Sequence, residues 1–291
     1  MNEREIKEYL TSLKVEKGLA SNTITSYQGN ISSFFACINK SYSKIKENDI
    51  YDYMHQLVSK GLDSTSISHK ITALKMFYKY LLKEGLVKEN IFEKINRPKK
   101  QVKLPDYLTI EQIDKLFSFK LETSFDYRNK AMLELLYATG MRVSELINVK
   151  ISDINFYEDY IVVIGKGNKQ RIIPLTDIAI KCIKDYVDNY YPKFNKNKKC
   201  EFLFLNKNGL KLTRQGFDKV LKDIALKQGL EKVVYPHIIR HSFATHLLNN
   251  GASLMVIKEL LGHENVSTTG IYTHLSINEL KDNYDMYHPH K

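Results

Sequence analysis

Residues 236–274 contain Pro236-His237-Ile238-Ile239-Arg240-His241, then Leu261-Gly262-His263, and end in Thr268-Thr269-Gly270-Ile271-Tyr272-Thr273-His274. Proline at the first position of a helix costs no hydrogen bond, so Pro236 opens a helix, and Asn249-Asn250-Gly251 stops it. His237 and Arg240 are three residues apart and share a face of that helix. His263 follows a glycine at a helix end, and Tyr272 lies nine residues beyond. Four side chains suited to handling a phosphate thus fall in one short span. No acidic trio able to hold a metal accompanies them, which points to phosphoryl transfer through a tyrosine without a metal ion.

Upstream of that span the pattern is helix, hairpin, helix. Thr109-Ile110-Glu111-Gln112 has the spacing of a capping box and opens a domain. A helix over about Phe125–Thr139 ends at Gly140, a natural C-terminal stop, and the next helix begins near Arg142-Val143-Ser144-Glu145-Leu146. Tyr160–Ile164 and Arg171–Leu175 are rich in β-branched residues and flank the turn Gly165-Lys166-Gly167-Asn168-Lys169-Gln170, so they form a β-hairpin. Helices resume near Thr176 and Thr213. Arg142 lies just after a helix stop and Lys166 at a hairpin tip, both places where a cation reaches a cleft. Glu145, one turn from Arg142, either orients that arginine or a neighbour, or is an ordinary exposed glutamate.

The first hundred residues read as four helices. Leu10, Leu13 and Val15 close the first before Gly18, and Ser21 caps the second. Ile24, Tyr27, Ile31, Phe34 and Ile38 recur at steps of three and four along that second helix. A short helix carries Ile50, Met54 and Leu57. A fourth, opening at Asp63-Ser64, places Ile67, Ile71, Leu74, Tyr78 and Leu81 on one side. Arg97-Pro98-Lys99-Lys100-Gln101-Val102-Lys103-Leu104-Pro105 then breaks the periodicity as a basic linker. The expected domains are therefore 1–96, a linker 97–106, and 107–291.

The 291-residue chain carries a net charge of +11, with a pI near 9.2. Residues 1–105 hold 18 Lys/Arg against 11 Asp/Glu, a net of +7, which leaves +4 for the remainder. Both parts suit a polyanionic partner, with nucleic acid the first expectation. Candidate phosphate contacts are Arg97, Lys99, Lys100 and Lys103 in the linker and Lys169 and Arg171 beside the hairpin tip. No apolar run reaches the ~18 residues of a membrane span, and the charged start, Met1 to Glu8, lacks a signal peptide's apolar core. The three cysteines, Cys37, Cys182 and Cys200, are far apart and form no CxxC pair. Neither a disulfide framework nor a zinc knuckle is indicated, and a reducing cytoplasm is the expected location. His237 and His241 have the i, i+4 spacing of a zinc helix, but Ile238 stands where that motif needs glutamate, so no metal is expected. His241, His246 and His274 read as packing or hydrogen-bonding residues.

Four runs in this order resemble the tyrosine recombinases, the phage-integrase family. They are Ala138–Leu146, Gly165–Lys169, His237–Leu248, and Leu261-Gly262-His263 through Tyr272-Thr273-His274. The bacterial Xer branch is the nearest in pattern, and Tyr287-His288-Pro289-His290 is similar to its ending. Two small departures are Ile239, where leucine is usual, and Gly270, where a larger residue is common. The resemblance implies a mainly α, two-domain clamp around duplex DNA, with an N-terminal four-helix core-binding domain and a mostly helical catalytic domain containing a small β-hairpin. It implies that Tyr272 attacks a DNA phosphodiester to give a 3′-phosphotyrosyl bond. Arg142 and Arg240 then grip the non-bridging oxygens, Lys166 protonates the leaving 5′ oxygen, His237 acts on the nucleophile's proton, and His263 bonds the phosphate.

The resemblance further implies a tetramer, of one recombinase or with a sister, that resolves chromosome dimers during segregation. Activation by a DNA translocase is a further possibility it raises, and no cofactor is implied. A helix over about Ile277–Met286, with Leu280, Tyr284 and Tyr287 at helical spacing, would dock on a neighbouring protomer or pack on its own domain. Two other readings stand beside this one: an integrase of a mobile element, and an architectural DNA-binding protein without catalysis. A chain that starts directly with the four-helix unit favours the Xer role over an integrase with an added arm-binding domain. Filled catalytic positions speak against the architectural reading.

Overall fold

A computed structural model describes residues 2–16, 18–19, 21–95, 107–165, 169–196, 200–230, 234–262 and 277–290. The chain divides into two units, Met1–Lys103 and Leu104–Lys291. The expected domain boundaries at 96 and 107 flank a stretch outside the described residues, as do linker residues Arg97, Lys99, Lys100 and Lys103.

The first unit holds α1 (Glu3–Val15), α2 (Ser21–Ile38), α3 (Glu47–Ser59) and α4 (Ser64–Lys83). Asp63 caps α4, its carboxylate accepting from the Ser66 amide. That satisfies one of the amides a helix start leaves unpaired. The five apolar residues expected along α4 are all buried. On α2 the buried residues are Ile31, Phe34 and Phe35, while Ile24, Tyr27 and Ile38 pack at the margin. Ser21 begins α2 as a helical residue rather than standing before it as a cap. Val15 is 76% exposed at the end of α1, and that helix buries Ile6, Tyr9 and Leu13 instead. Steps of three and four from Ile6 reach Tyr9 and Leu13, whereas Val15 falls on the opposite face. Phe34 anchors an aromatic core, its ring centroid 5.0 Å from Tyr53, 5.2 Å from Phe35 and 5.8 Å from Phe92.

The second unit is built around α6 (Ser124–Thr139), in which every residue from Ala131 to Thr139 is buried. A helix apolar nearly all round needs cover on all sides. Cover comes from α5 (Ile110–Phe117), α8 (Asp177–Asp185), α9 (Tyr191–Phe194) and α11 (Pro236–Asn249). Thr109 and Gln112 form the expected capping box at the start of α5. Between α7 (Val143–Leu146) and α8 runs an antiparallel sheet in the order β1 (Ile154–Asn155), β2 (Tyr160–Ile164), β3 (Gln170–Pro174). Val162 lies opposite Ile172 in its register. The two-residue β1 has no sequence periodicity of its own to betray it. The unit is completed by α10 (Arg214–Lys227), α12 (Leu254–Leu261) and α13 (Ile277–Tyr287).

Helix α13 packs on its own unit. Leu280 and Tyr284 are buried, and the Tyr284 hydroxyl donates to the Ala138 carbonyl at 2.8 Å. Of the two placements open for this helix, the apolar contacts available within the unit favour the internal one. No helix among the described residues is long and apolar enough to cross a membrane.

Candidate active site

Helix α6 stops at Gly140, whose φ of 55° is left-handed and whose amide returns to Leu136. A Cβ there would run into the Phe243 ring, so both the backbone and the packing require glycine. The sharp stop delivers Arg142 to the start of α7. Its backbone amide donates to Glu145 Oε2 at 2.8 Å, and its Nη1 donates to Glu145 Oε1 at 2.9 Å. One carboxylate therefore fixes both the short helix's start and the arginine's side chain. Arg142 stays 37% exposed, leaving part of its guanidinium open to solvent.

Glu145 is only 8% exposed, not a surface glutamate. It also receives Arg171, with Nη2 to Oε2 at 2.8 Å and Nη1 to Oε1 at 3.3 Å. Burial pushes its carboxyl up, but the Arg171 bonds and the Arg142 amide together outweigh that and hold it below the usual carboxylate range. Arg171 was expected at the DNA. The structure instead turns it inward, because a buried carboxylate on α7 and the Leu260 carbonyl at 2.9 Å take its donors. Lys169, its neighbour beyond the hairpin tip, is exposed and lines the cleft.

Arg240 lies on α11 and is 8% exposed. Its Nη1 donates to the Gly140 carbonyl at 2.6 Å and its Nη2 to the Leu261 carbonyl at 2.9 Å. Burial pushes this guanidinium down to about 10, with the Arg142 charge adding to the effect, yet it remains protonated at neutral pH. Three successive carbonyls at the end of α12 each meet a different arginine: Leu260 meets Arg171, Leu261 meets Arg240, and Gly262 meets Arg142 at a longer 3.5 Å. The end of a helix presents its unpaired, negatively polarised carbonyls, so it is where guanidiniums are favoured.

His237 lies one turn before Arg240 and is exposed while Arg240 is not. Partial desolvation of its ring, then the charges of Arg214, Arg240 and Arg142, hold its imidazole below the ordinary histidine value. These influences favour the neutral imidazole, the form able to accept a proton. His246 is buried, with its Nδ1 2.7 Å from the Tyr137 hydroxyl, in keeping with a packing role. Among the described residues no group of three or more His, Cys, Asp or Glu is placed to hold a metal ion.

The structure thus brings together Arg142, Glu145 and Arg171 around an open cleft of about 560 Å³, while Arg240 reaches the Gly140 and Leu261 carbonyls. Lys166, His263, Tyr272 and His274 lie outside the described residues. Two groups were not singled out from the sequence. Lys258, on α12, lines the cleft. Arg214, Lys219 and Lys222, on α10, form a second basic hollow beside His237. Their spacing of five and then three residues was the only signal for the second group, and a solvated lysine face carries the same pattern. Arginine forks of this kind suit oxyanions, binding two oxygens at once without losing charge.

The phage integrase family pattern matches residues 106–279, and the phage integrase N-terminal SAM-like domain matches residues 6–85. Tyrosine recombinase XerD of Oceanobacillus iheyensis is 40% identical to this chain over 99% of each sequence. Its counterpart in Listeria innocua is 41% identical over 98% of each. Among solved structures, XerA recombinase is 30% identical, with a TM-score of 0.50 over 98% of this chain and 99% of that one. XerH site-specific recombinase bound to a palindromic difH substrate, a post-cleavage complex, has a TM-score of 0.69 at 21% identity. That likeness covers 98% of this chain and 81% of that one, and speaks for the fold alone.

Proposed function

This chain belongs to the phage integrase family, in its Xer branch of tyrosine recombinases, and we propose how its residues divide the work of cutting and rejoining DNA. It is a site-specific recombinase whose partner is a DNA recombination site. In the proposed step the Tyr272 phenol oxygen attacks a backbone phosphorus. A 3′-phosphotyrosyl bond forms, the bond to the 5′ oxygen breaks, and that oxygen leaves with a proton from Lys166. A phenol has a pKa of about 10 and needs a base at neutral pH, which neutral His237 supplies. Arg142 and Arg240 take the charge that gathers on the non-bridging oxygens, and His263 adds a hydrogen bond. Preorganised charge of this kind is usually the largest catalytic contribution. The phosphotyrosyl bond conserves the phosphodiester's energy, so rejoining needs neither ATP nor a metal.

The observation that carries this reading is the convergence of Arg142 and Arg240 on one corner of the second unit, Arg240 bonded to the Gly140 and Leu261 carbonyls and Arg142 to the next carbonyl, Gly262. Identity of about 40% over nearly the whole of both chains favours the Xer role over a mobile-element integrase. The proposal extends to resolution of chromosome dimers by a tetramer, of one recombinase or with a sister, with a translocase as a further partner. The linker residues Arg97, Lys99, Lys100 and Lys103, with Lys169, are proposed to lie along the DNA backbone. Affinity should then fall steeply with salt.

The test uses a nicked duplex carrying a site recovered from a genomic footprint, incubated in EDTA. The wild-type chain should accumulate a covalent protein–DNA adduct, and Tyr272→Phe should bind the duplex and form none. An adduct with the Phe variant would remove Tyr272 as the nucleophile.

A further inference from the structure

Glu145 receives two guanidiniums, and one of them has no place in the phosphate-handling set. Arg171 projects from β3 with its side chain only 9% exposed. Its Nη2 and Nη1 take the two Glu145 oxygens, and its Nε takes the Leu260 carbonyl. One side chain thereby ties strand β3, helix α7 and the end of α12 together. The backbone closes tightly on it. A Cβ at Gly262 would lie 3.2 Å from Arg171 Cδ and 3.3 Å from its Nη1, and one at Gly165 would lie 3.4 Å from Nη1. Each tied segment leads within a few residues to a side chain given a phosphate role: Arg142 before Glu145, Lys166 before β3, and His263 after α12.

We propose that Arg171 is a positioning residue for strand cleavage: it occupies the Glu145 carboxylate so that Arg142 keeps a free guanidinium edge, and it anchors the end of α12 from which the His263 segment departs. This rests on the recombinase reading above. The physical argument is competition for one buried anion. Arg171 and Arg142 are the two cations that Glu145 bonds among the described residues. With Arg171 gone, the carboxylate draws Arg142 into a closed pair and away from the phosphate. A lysine cannot replace it fully, because one ammonium does not span two carboxylate oxygens and a carbonyl.

The experiment separates DNA binding from chemistry on the nicked duplex. Arg171→Met should keep the salt slope of DNA binding, whereas loss of a phosphate contact would lower that slope by about 1. Its rate of adduct formation from the bound complex should fall by ~10²-fold, the scale of a misplaced catalytic group. Arg171→Lys should recover part of the rate. Adding Glu145→Gln to Arg171→Met should also recover part of it, since a neutral amide no longer captures Arg142. A merely structural arginine would give no such rescue, because removing its partner only loosens the cluster further. If Arg171→Met does not fold, the Arg171→Lys variant with and without Glu145→Gln carries the same comparison. Three results would overturn the proposal: a wild-type rate, a defect confined to binding, or a slow variant that Glu145→Gln leaves slow. A wild-type chain that forms no adduct at all would instead sink the recombinase chemistry itself.

Discussion

The two units bury different things. Among the described residues, the buried polar side chains of the first unit are Asn2 and Asn90, both neutral. The second buries Arg128, Glu134, Glu145 and Arg240, together with His246 and His288. A buried charge is costly unless it is bonded, and removing such a group is often neutral or stabilising if its partner goes too. The first unit therefore holds together by apolar and aromatic packing. The second also buries charges, and two of them, Glu145 and Arg240, belong to the arginine cluster proposed to hold a phosphate. Stability lives mainly in one kind of residue and chemistry in the other.

The largest test of that contrast is Phe34→Ala, in the aromatic core of the first unit. Truncating a fully buried phenylalanine costs about 3–5 kcal/mol. Urea unfolding of the full chain, followed by circular dichroism, should show an earlier transition of that size. An unchanged profile would mean that Phe34 is not the anchor its ring contacts suggest. Next in size is Arg240→Lys, in the second unit. The ammonium cannot reach Gly140, Leu261 and a phosphate oxygen together. Adduct formation from bound DNA should slow by about 10²–10³-fold, the range for loss of one oxyanion donor, while DNA binding changes little. Near-normal cleavage would argue against a bidentate clamp.

The same contrast explains what was legible in the sequence. Periodicity writes apolar packing directly, so Ile67 to Leu81 read as one buried face and prove to be one. Caps and stops were equally plain at Asp63, Thr109 and Gly140, because each is a local bond or a local dihedral. The charged cluster is not local. Glu145 and Arg171 are 26 residues apart, and nothing between them signals that their side chains meet. Arg171 therefore read as one more cation beside a basic turn, and Glu145 stayed open between orienting and exposed. Arg240 was recognisable by its motif, but its two backbone acceptors come from Gly140 and Leu261, on other elements. Val15 failed for the opposite reason: it is apolar, yet it is placed off the buried face at the helix end.

Acid should separate the units as well. The two histidines of the first unit, His55 and His69, are exposed. His288 is buried among Tyr284, Tyr137 and Phe243, and burial pushes its imidazole down to about 4. Burial lowers His246 in the same direction. In the unfolded chain a histidine titrates at about 6.5. Below that value the unfolded state binds a proton that the folded state refuses, so folding stability falls as pH drops from 6.5 toward 4 and levels off below it. Between pH 7 and pH 5 the His288 contribution alone is on the order of 2 kcal/mol. Thermal unfolding of the full chain at the two pH values should show the second unit losing more than the first. His288→Phe, which keeps an aromatic ring among its neighbours, should narrow the gap. If the gap stays as wide with Phe at that position, the acid sensitivity of the second unit comes from its carboxylates, Glu145 first among them, and not from its buried imidazoles.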